Sequence, residues 1–285
     1  MVDLKDLHIH IIGLGLMGGS LAMTLQGKVG CLTAHDTRNE VLQTAIHKGL
    51  INASDGLEQA DVVILAIPSD KIVALIQSLQ LPSGVMVMDI GSTKTAICDA
   101  LDGLAPNIES VGGHPMCGLA ENGFENAIPT LYQGARFVLC ETLGTTERVR
   151  SIAEQIVSAC GAKALWMDRQ QHDYLTGLTS HLPHLLSFAL MRLAMQVSDE
   201  DEALFQLAAG GFDGATRLAR TNATMIRGMF TTNAENIRQL AKRLREQLDL
   251  LEMLFDDSDN LTTELQRIVE ARRNYSMSYG ERPIA

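Results

Sequence analysis

The sequence has little positive charge. Its 285 residues hold 23 Lys and Arg against 34 Asp and Glu, a formal charge of −11 at pH 7. Phosphate backbones and anionic membrane surfaces are held by basic faces, so this balance excludes a general nucleic-acid binder and a membrane-surface binder. It leaves open a small anionic substrate, which a few local cations can hold. No apolar run approaches the roughly 20 residues of a membrane span. The opening MVDLKDLHIHIIG lacks the basic segment, apolar stretch and cleavage site of a secretory leader. Cysteines are five (31, 98, 117, 140, 160), widely spaced and without a Cys-x-x-Cys pair. That pattern indicates neither a disulfide framework nor a zinc site, and it suits a reducing cytoplasm. What remains, 46% apolar and 20% charged residues, is ordinary for a globular chain long enough for two domains.

Up to residue 167, short apolar runs alternate with amphipathic stretches. HIHIIGLG, CLTAHD, DVVILAIP, GVMVMDIG, ESVGGH, ARFVLCE and AKALWMD read as strands. MGGSLAMTLQGK, NEVLQTAIHKG, KIVALIQSLQ, KTAICDALDGL and TERVRSIAEQIVSACG read as the helices between them. This alternation predicts βαβ units, a parallel sheet and an α/β Rossmann-type domain. From Asp168 onward only helical spacing is found. The expected division is a dinucleotide-binding domain over 1–167 and an all-helical domain over 168–285. The last helices carry leucine at i, i+3, i+4 spacing with charges between, which suits a dimer face or a bundle core. The stretch RRNYSMSYGERPIA, from Arg272, is expected to be flexible.

Gly13-Leu14-Gly15-Leu16-Met17-Gly18 is a G-x-G-x-x-G between a strand and a helix. Gly13 permits the turn, Gly15 lets a pyrophosphate approach the backbone, and Gly18 lets the helix pack on the sheet. Gly13, Gly15, Leu16, Met17 and Gly18 are the candidate phosphate contacts. Asp36 follows 18 residues after Gly18, where a carboxylate accepts from ribose hydroxyls and favours NAD. Arg38 is placed to cradle a 2′-phosphate, which makes NADP the alternative. Ser92, in DIGSTK after the fourth strand, faces the same crevice or caps the next helix. His114, in GGHPMCG, reads as a histidine on a shaped loop after the fifth strand, suited to proton transfer. In Ser180-His181-Leu182-Pro183-His184 the histidines share one helix face. No third ligand accompanies them, so a metal site is rejected. GGFDGATRLA begins as a turn and becomes helix, with Arg217 in its first turn as a carboxylate partner and Arg220 on the same face.

GLGLMGGSLA, DIGSTK, GGHPMCG, SHLPH and GGFDGATRLA, in this order, resemble the prephenate/arogenate dehydrogenase family of tyrosine biosynthesis over about residues 8–255. The resemblance implies a Rossmann-type domain followed by an all-helical dimerisation domain. It implies NAD-dependent oxidative decarboxylation of prephenate to 4-hydroxyphenylpyruvate and CO2. His114 matches the catalytic histidine, Ser92 the serine that orients the hydroxyl, and Arg217 the arginine that binds a substrate carboxylate. His181 and His184, with Ser180 beside them, match the substrate pocket, and His184 favours prephenate over arogenate. GLAENG after His114, DGAT before Arg217 and Ile226 depart from the common pattern and bear on pocket shape. The rivals are arogenate dehydrogenase with NAD or NADP, a β-hydroxyacid-type dehydrogenase, and a non-catalytic nucleotide sensor. The second relies on a helical catalytic lysine, and the helical half contains only Lys242.

Overall fold

A computed structural model describes residues 2–53, 56–119 and 121–280. Seven strands form one sheet: β1 His8–Ile12, β2 Cys31–His35, β3 Val62–Leu65, β4 Met86–Asp89, β5 Glu109–Pro115, β6 Arg136–Cys140 and β7 Lys163–Trp166. Their order is β2-β1-β3-β4-β5-β6-β7. Five helices flank it: α1 Leu16–Leu25, α2 Asn39–His47, α3 Ser69–Ile76, α4 Thr95–Asp102 and α5 Glu147–Ala159. The central strands read as unbroken apolar runs because both faces are covered. Ile9, Ile11, Ile64, Met86 and Met88 enter one apolar layer, and Ile12, Val63, Leu65 and Val87 enter the other.

The expected parallel sheet holds for β1 to β5. β6 pairs antiparallel with β5, and β7 pairs parallel with β6. Among the described residues the β5–β6 connection carries a single 3₁₀ turn, Phe124–Asn126. The connection is long enough for a parallel crossover, but such a crossover is usually a helix, and without one the chain doubles back.

Gly112-Gly113-His114-Pro115 is also not the expected loop. It lies within β5, where His114 is opposite Val138 and Pro115 opposite Phe137. The glycines answer to crowding. A Cβ on Gly112 would lie 2.5 Å from Cys98 Sγ, and one on Gly113 would lie 2.4 Å from the Asp89 carbonyl oxygen. Pro115 ends the strand, where it leaves no ladder bond unmade.

After β7 come α6 Arg169–Thr176, a π-helical turn Gly177–His181, α7 Leu182–Glu200, α8 Gly210–Thr216, α9 Ala223–Thr232, α10 Ala234–Glu252 and α11 Ser258–Tyr279. Asp168 caps α6 by accepting from Gln170 and Gln171 N–H at 2.9 Å. The segment from Arg272, expected to be flexible, is helical through Tyr279, and residues 281–285 lie outside the described residues. The helices bury little against one another: Leu182, Leu240 and Ala241 form their small core. α11 has no buried residue, and Leu265, Ile268 and Val269 are 41–48% exposed along one of its faces. A contiguous apolar stripe of this kind marks an association surface. Among the described residues no helix is long and apolar enough to cross a membrane.

Polar contacts join the two halves. Thr93 Oγ1 meets Thr232 Oγ1 at 2.8 Å, and Arg227 donates to Asp70 at 2.9 Å. Asp173 of α6 accepts from the N–H groups of Lys94 (2.7 Å) and Thr95 (2.8 Å). A carboxylate from the helical half thus caps α4, where the helix dipole favours negative charge.

Candidate active site

Beyond the carboxyl ends of β1, β2 and β3 the chain forms a dinucleotide cradle. Gly13 has φ +100°, and a Cβ there would lie 2.6 Å from the Ala66 carbonyl oxygen. A Cβ on Gly18 would lie 1.9 Å from the Gly13 carbonyl oxygen. Gly15 faces open space and leads into α1, whose N-terminus has no side-chain cap. These features fit a pyrophosphate lying on the Leu16 and Met17 end of the helix. Asp36 follows β2 and accepts from Leu14 N–H (2.7 Å), Arg38 N–H (2.9 Å) and Arg38 Nε (3.1 Å). Burial pushes the Asp36 carboxyl up, but the hydrogen bonds from Arg38 and Leu14 outweigh it and leave it below its ordinary value. Arg38 also reaches the Leu14 carbonyl at 3.3 Å. Its guanidinium is drawn onto Asp36, and a carboxylate in that place repels a 2′-phosphate.

His114 stands on β5, on the far side of β4 from that cradle. Its Nδ1 lies 2.8 Å from His172 Nε2, and His172 Nδ1 lies 2.8 Å from Asp173 Oδ1. His172 and Asp173 are each about 1% exposed. Burial pushes the Asp173 carboxyl up, and hydrogen bonds from His172 and the Lys94 and Thr95 N–H groups overcome it, so the carboxyl titrates below its ordinary value. An ionised carboxylate only accepts, so His172 Nδ1 carries a proton. With one proton on His172, its Nε2 accepts from His114 Nδ1–H. His114 Nε2 is then left as a lone pair, the form a general base needs. Burial holds the His114 imidazole well below its ordinary value, since a proton there would also be opposed by one on His172 or His181 and by the Lys94 cation, so it stays neutral. Beneath it, buried Lys94 Nζ donates to Asp89 Oδ2 and to the Gly113 carbonyl, which ties β4, β5 and α4 together.

Ser92 does not cap the helix that follows, as one expectation had it. α4 begins three residues later, and its N-cap is Lys94. Ser92 is instead held by Ser69 Oγ, which lies 3.2 Å from both its N–H and its Oγ. His181 ends the π-helical turn and is fully buried, while His184, in α7, donates from Nδ1 to the Ser180 carbonyl at 2.9 Å. Burial, helped by the Arg217 charge, lowers the His184 imidazole although that hydrogen bond opposes the shift. Arg217, half-buried, follows α8 in a 3₁₀ turn, Arg217–Arg220, so the expected turn-then-helix is reversed. The glycines Gly210 and Gly211 already lie in the helix, in its first turn, where N–H groups have no intrahelical partner. Arg220 is exposed. A proton on His114 would be opposed by one on His181, a proton on His181 by one on His184, and a proton on His184 by the Arg217 cation. The four form one electrostatically connected series from the sheet to the helical half. Among the described residues no cluster of three His, Cys, Asp or Glu is placed to hold a metal ion.

These buried imidazoles set a pH dependence. His181 is pushed down to about 4, chiefly by burial, whereas in an unfolded chain it titrates near 6.5. Between those values the unfolded state binds the extra proton. Stability is therefore fully present above about pH 6.5 and is lost as pH falls toward about 4, by about 3 kcal/mol for His181. His114 and His184 shift in the same direction. Urea unfolding midpoints followed across that window should fall with pH, and a His181→Gln variant should show a shallower slope. An equally steep slope in the variant contradicts this assignment.

Residues 20–166 match the family described as "Prephenate dehydrogenase, nucleotide-binding domain". Residues 168–270 match "Prephenate dehydrogenase, dimerization domain". The chain belongs to the prephenate dehydrogenase family. It is 30% identical to the prephenate dehydrogenase of Lactococcus lactis subsp. cremoris over 272 residues, 90% of this chain and 73% of that one. Its fold matches the prephenate dehydrogenase of Aquifex aeolicus, solved with hydroxyphenyl propionate and NAD+, at a TM-score of 0.87 and 28% identity over 94% of this chain and 98% of that one. Synechocystis arogenate dehydrogenase matches at 0.77 and 26% identity, over 94% and 99%.

As a member of the prephenate dehydrogenase family, the chain has a nucleotide-binding half that is an NAD-binding domain. Lys242, which a β-hydroxyacid-type chemistry would need near the cofactor, is exposed on α10. Sequence alone did not single out His172, Asp173 or Ser69. His172 and Asp173 are adjacent, and neighbours on a helix do not ordinarily face each other, so nothing in the spacing pairs them. The adjacent histidine and aspartate in RQQHDYLT were the available signal, and their burial shows only in the structure.

Proposed function

We propose that the chain is an NAD-dependent prephenate dehydrogenase of tyrosine biosynthesis, converting prephenate to 4-hydroxyphenylpyruvate and CO2. The observation that carries this reading is the Asp173–His172–His114 series, which leaves a neutral imidazole lone pair near a dinucleotide cradle. Gly13, Gly15, Leu16, Met17, Gly18 and Asp36 hold the NAD, whose nicotinamide, when bound, takes a hydride from the substrate's C4. Arg38 remains on Asp36. Ser92, fixed by Ser69, orients the C4 hydroxyl, and His114 Nε2 takes the hydroxyl proton as the C–O bond gains double-bond character. Loss of CO2 from C1 sends its electron pair into the ring, which becomes aromatic, and His114 returns the proton to the phenolic oxygen. Substrate and NAD+ become product, CO2 and NADH with no net proton released. Arg217 binds a substrate carboxylate, and His181, His184 and Ser180 line the pocket.

The proposed division is residues 1–167 for the nucleotide and 168–285 for substrate and association. The exposed apolar face of α11 supports a homodimer through the helical half. The deciding assay follows NADH absorbance with prephenate and with arogenate, each against NAD+ and NADP+. Turnover is expected for prephenate with NAD+. Preferential turnover of arogenate moves the assignment to arogenate dehydrogenase, and no turnover in any pairing ends it. Arg217→Ala removes a charge-assisted contact and should raise the KM for prephenate roughly 10- to 100-fold with kcat much less changed. A loss confined to kcat removes Arg217 from substrate binding.

A further inference from the structure

Asn233 lies between α9 and α10, at the N-cap of α10, where an asparagine ordinarily accepts the first N–H groups of its helix. This side chain makes no such bond, and the residue is 4% exposed. Its Nδ2 donates to the Asp173 carbonyl at 2.8 Å and lies 2.9 Å from His181 Nδ1, while Oδ1 accepts from Asn236 Nδ2 at 2.8 Å. A carbonyl only accepts, so the Asp173 contact fixes which end of the amide is nitrogen. The second amide hydrogen points to His181, whose Nδ1 must accept it. The single proton of neutral His181 then sits on Nε2. That Nε2 is buried and has no hydrogen-bond partner among the described residues, although buried polar groups are nearly always satisfied. Asn233 ties His181 to Asp173, whose neighbour His172 holds His114, so the unpartnered donor belongs to the region of the proposed pocket.

We propose that Asn233 is a positioning residue that holds His181 as an Nε2–H donor to an oxygen of the substrate bound beside His114. The two histidines then meet one substrate with opposite polarity: His114 Nε2 accepts and His181 Nε2 donates. Both assignments originate at Asp173, whose carboxylate acts through His172 and whose carbonyl acts through Asn233. The identity of the substrate rests on the prephenate reading above, while the tautomer does not.

Two-bond ¹H–¹⁵N NMR of the ¹⁵N-histidine-labelled, NAD+-loaded enzyme reads the tautomer directly, with His181 signals assigned by their loss in His181→Gln. The expected spectrum has the proton on Nε2, and that resonance shifts when hydroxyphenyl propionate is added as a probe. In Asn233→Asp the carboxylate accepts from Nδ1, so a proton appears there. The kcat/KM for prephenate then falls roughly 10- to 100-fold while NAD+ affinity is unchanged. A wild-type His181 protonated on Nδ1 overturns the proposal even if the variant does not fold. So does an Nε2 signal indifferent to the probe, or an Asn233→Asp enzyme with unaltered kcat/KM. If wild type turns over neither prephenate nor arogenate, the functional reading falls, and the His181 spectrum still decides what Asn233 does.

Discussion

Replacing His114 with asparagine lowers kcat for prephenate about 10²–10⁴-fold, the usual contribution of a positioned general base. The asparagine keeps a polar group beside His172 but has no lone pair of comparable basicity to take the C4 hydroxyl proton. The cradle lies on other strands: Gly13 follows β1 and Asp36 follows β2, while His114 is on β5. NAD+ affinity, measured by fluorescence titration, should therefore be unchanged. The acid limb of wild-type kcat/KM should fall well below the ordinary imidazole value, because burial, with the Lys94 cation nearby, keeps His114 unprotonated. Retained turnover in His114→Asn removes this histidine from the chemistry. Lost NAD+ binding makes it a structural residue.

Asp173→Asn has the second largest effect, roughly 10²-fold in kcat and bounded by the loss of His114 itself. The carboxylate dictates direction along the series. An amide that turns its N–H to His172 Nδ1, giving up the Lys94 N–H that shares Oδ1, inverts each step: His172 Nε2 becomes a donor, His114 Nδ1 an acceptor, and the His114 proton moves to Nε2, where it blocks the base. An orienting carboxylate acts in this way in hydrolase triads, where its amide replacement leaves the geometry intact and selects the wrong tautomer. Asp173 also receives the Lys94 and Thr95 N–H groups, so part of the effect is a weaker cap on α4, about 1 kcal/mol. Thermal unfolding separates the two. A modest fall in midpoint with a large loss of kcat supports the tautomer role. A fall in midpoint with kcat intact assigns Asp173 to the helix cap alone.

The seven strands were legible because buried strands read as apolar runs closed by glycine, proline or aspartate. The sense of β6 was not, since direction depends on what the connection contains and an irregular stretch carries no periodic signal. Gly112 and Gly113 misled for a related reason: glycine marks both tight turns and crowded backbones, and here Cys98 and Asp89 crowd it. Ser92, His114, His181, His184 and Arg217 stood out as polar residues in glycine- or proline-marked motifs. Ser69, His172 and Asp173 sit on ordinary helices 23 to 79 positions from the groups they hydrogen-bond in the sheet half, and Asn233, between two helices, is 52 and 60 positions from His181 and Asp173. The contacts of His172 and Asp173 with His114, Lys94 and Thr95 exist only once the helical half packs on the end of the sheet. The leucine spacing of the last helices suited either a bundle core or a dimer face, and α11, which has no buried residue among the described ones, favours the second.

The central claim is that a neutral His114 lone pair meets the substrate's ring oxygen across from the nicotinamide. A crystal structure of the enzyme with NAD+ and hydroxyphenyl propionate tests it most directly. The account predicts His114 Nε2 within about 2.6–3.2 Å of the phenolic oxygen, with His172 still on Nδ1 and Arg217 on the propionate carboxylate. A complex in which His114 turns from the ring, or binds it through Nδ1, contradicts the account.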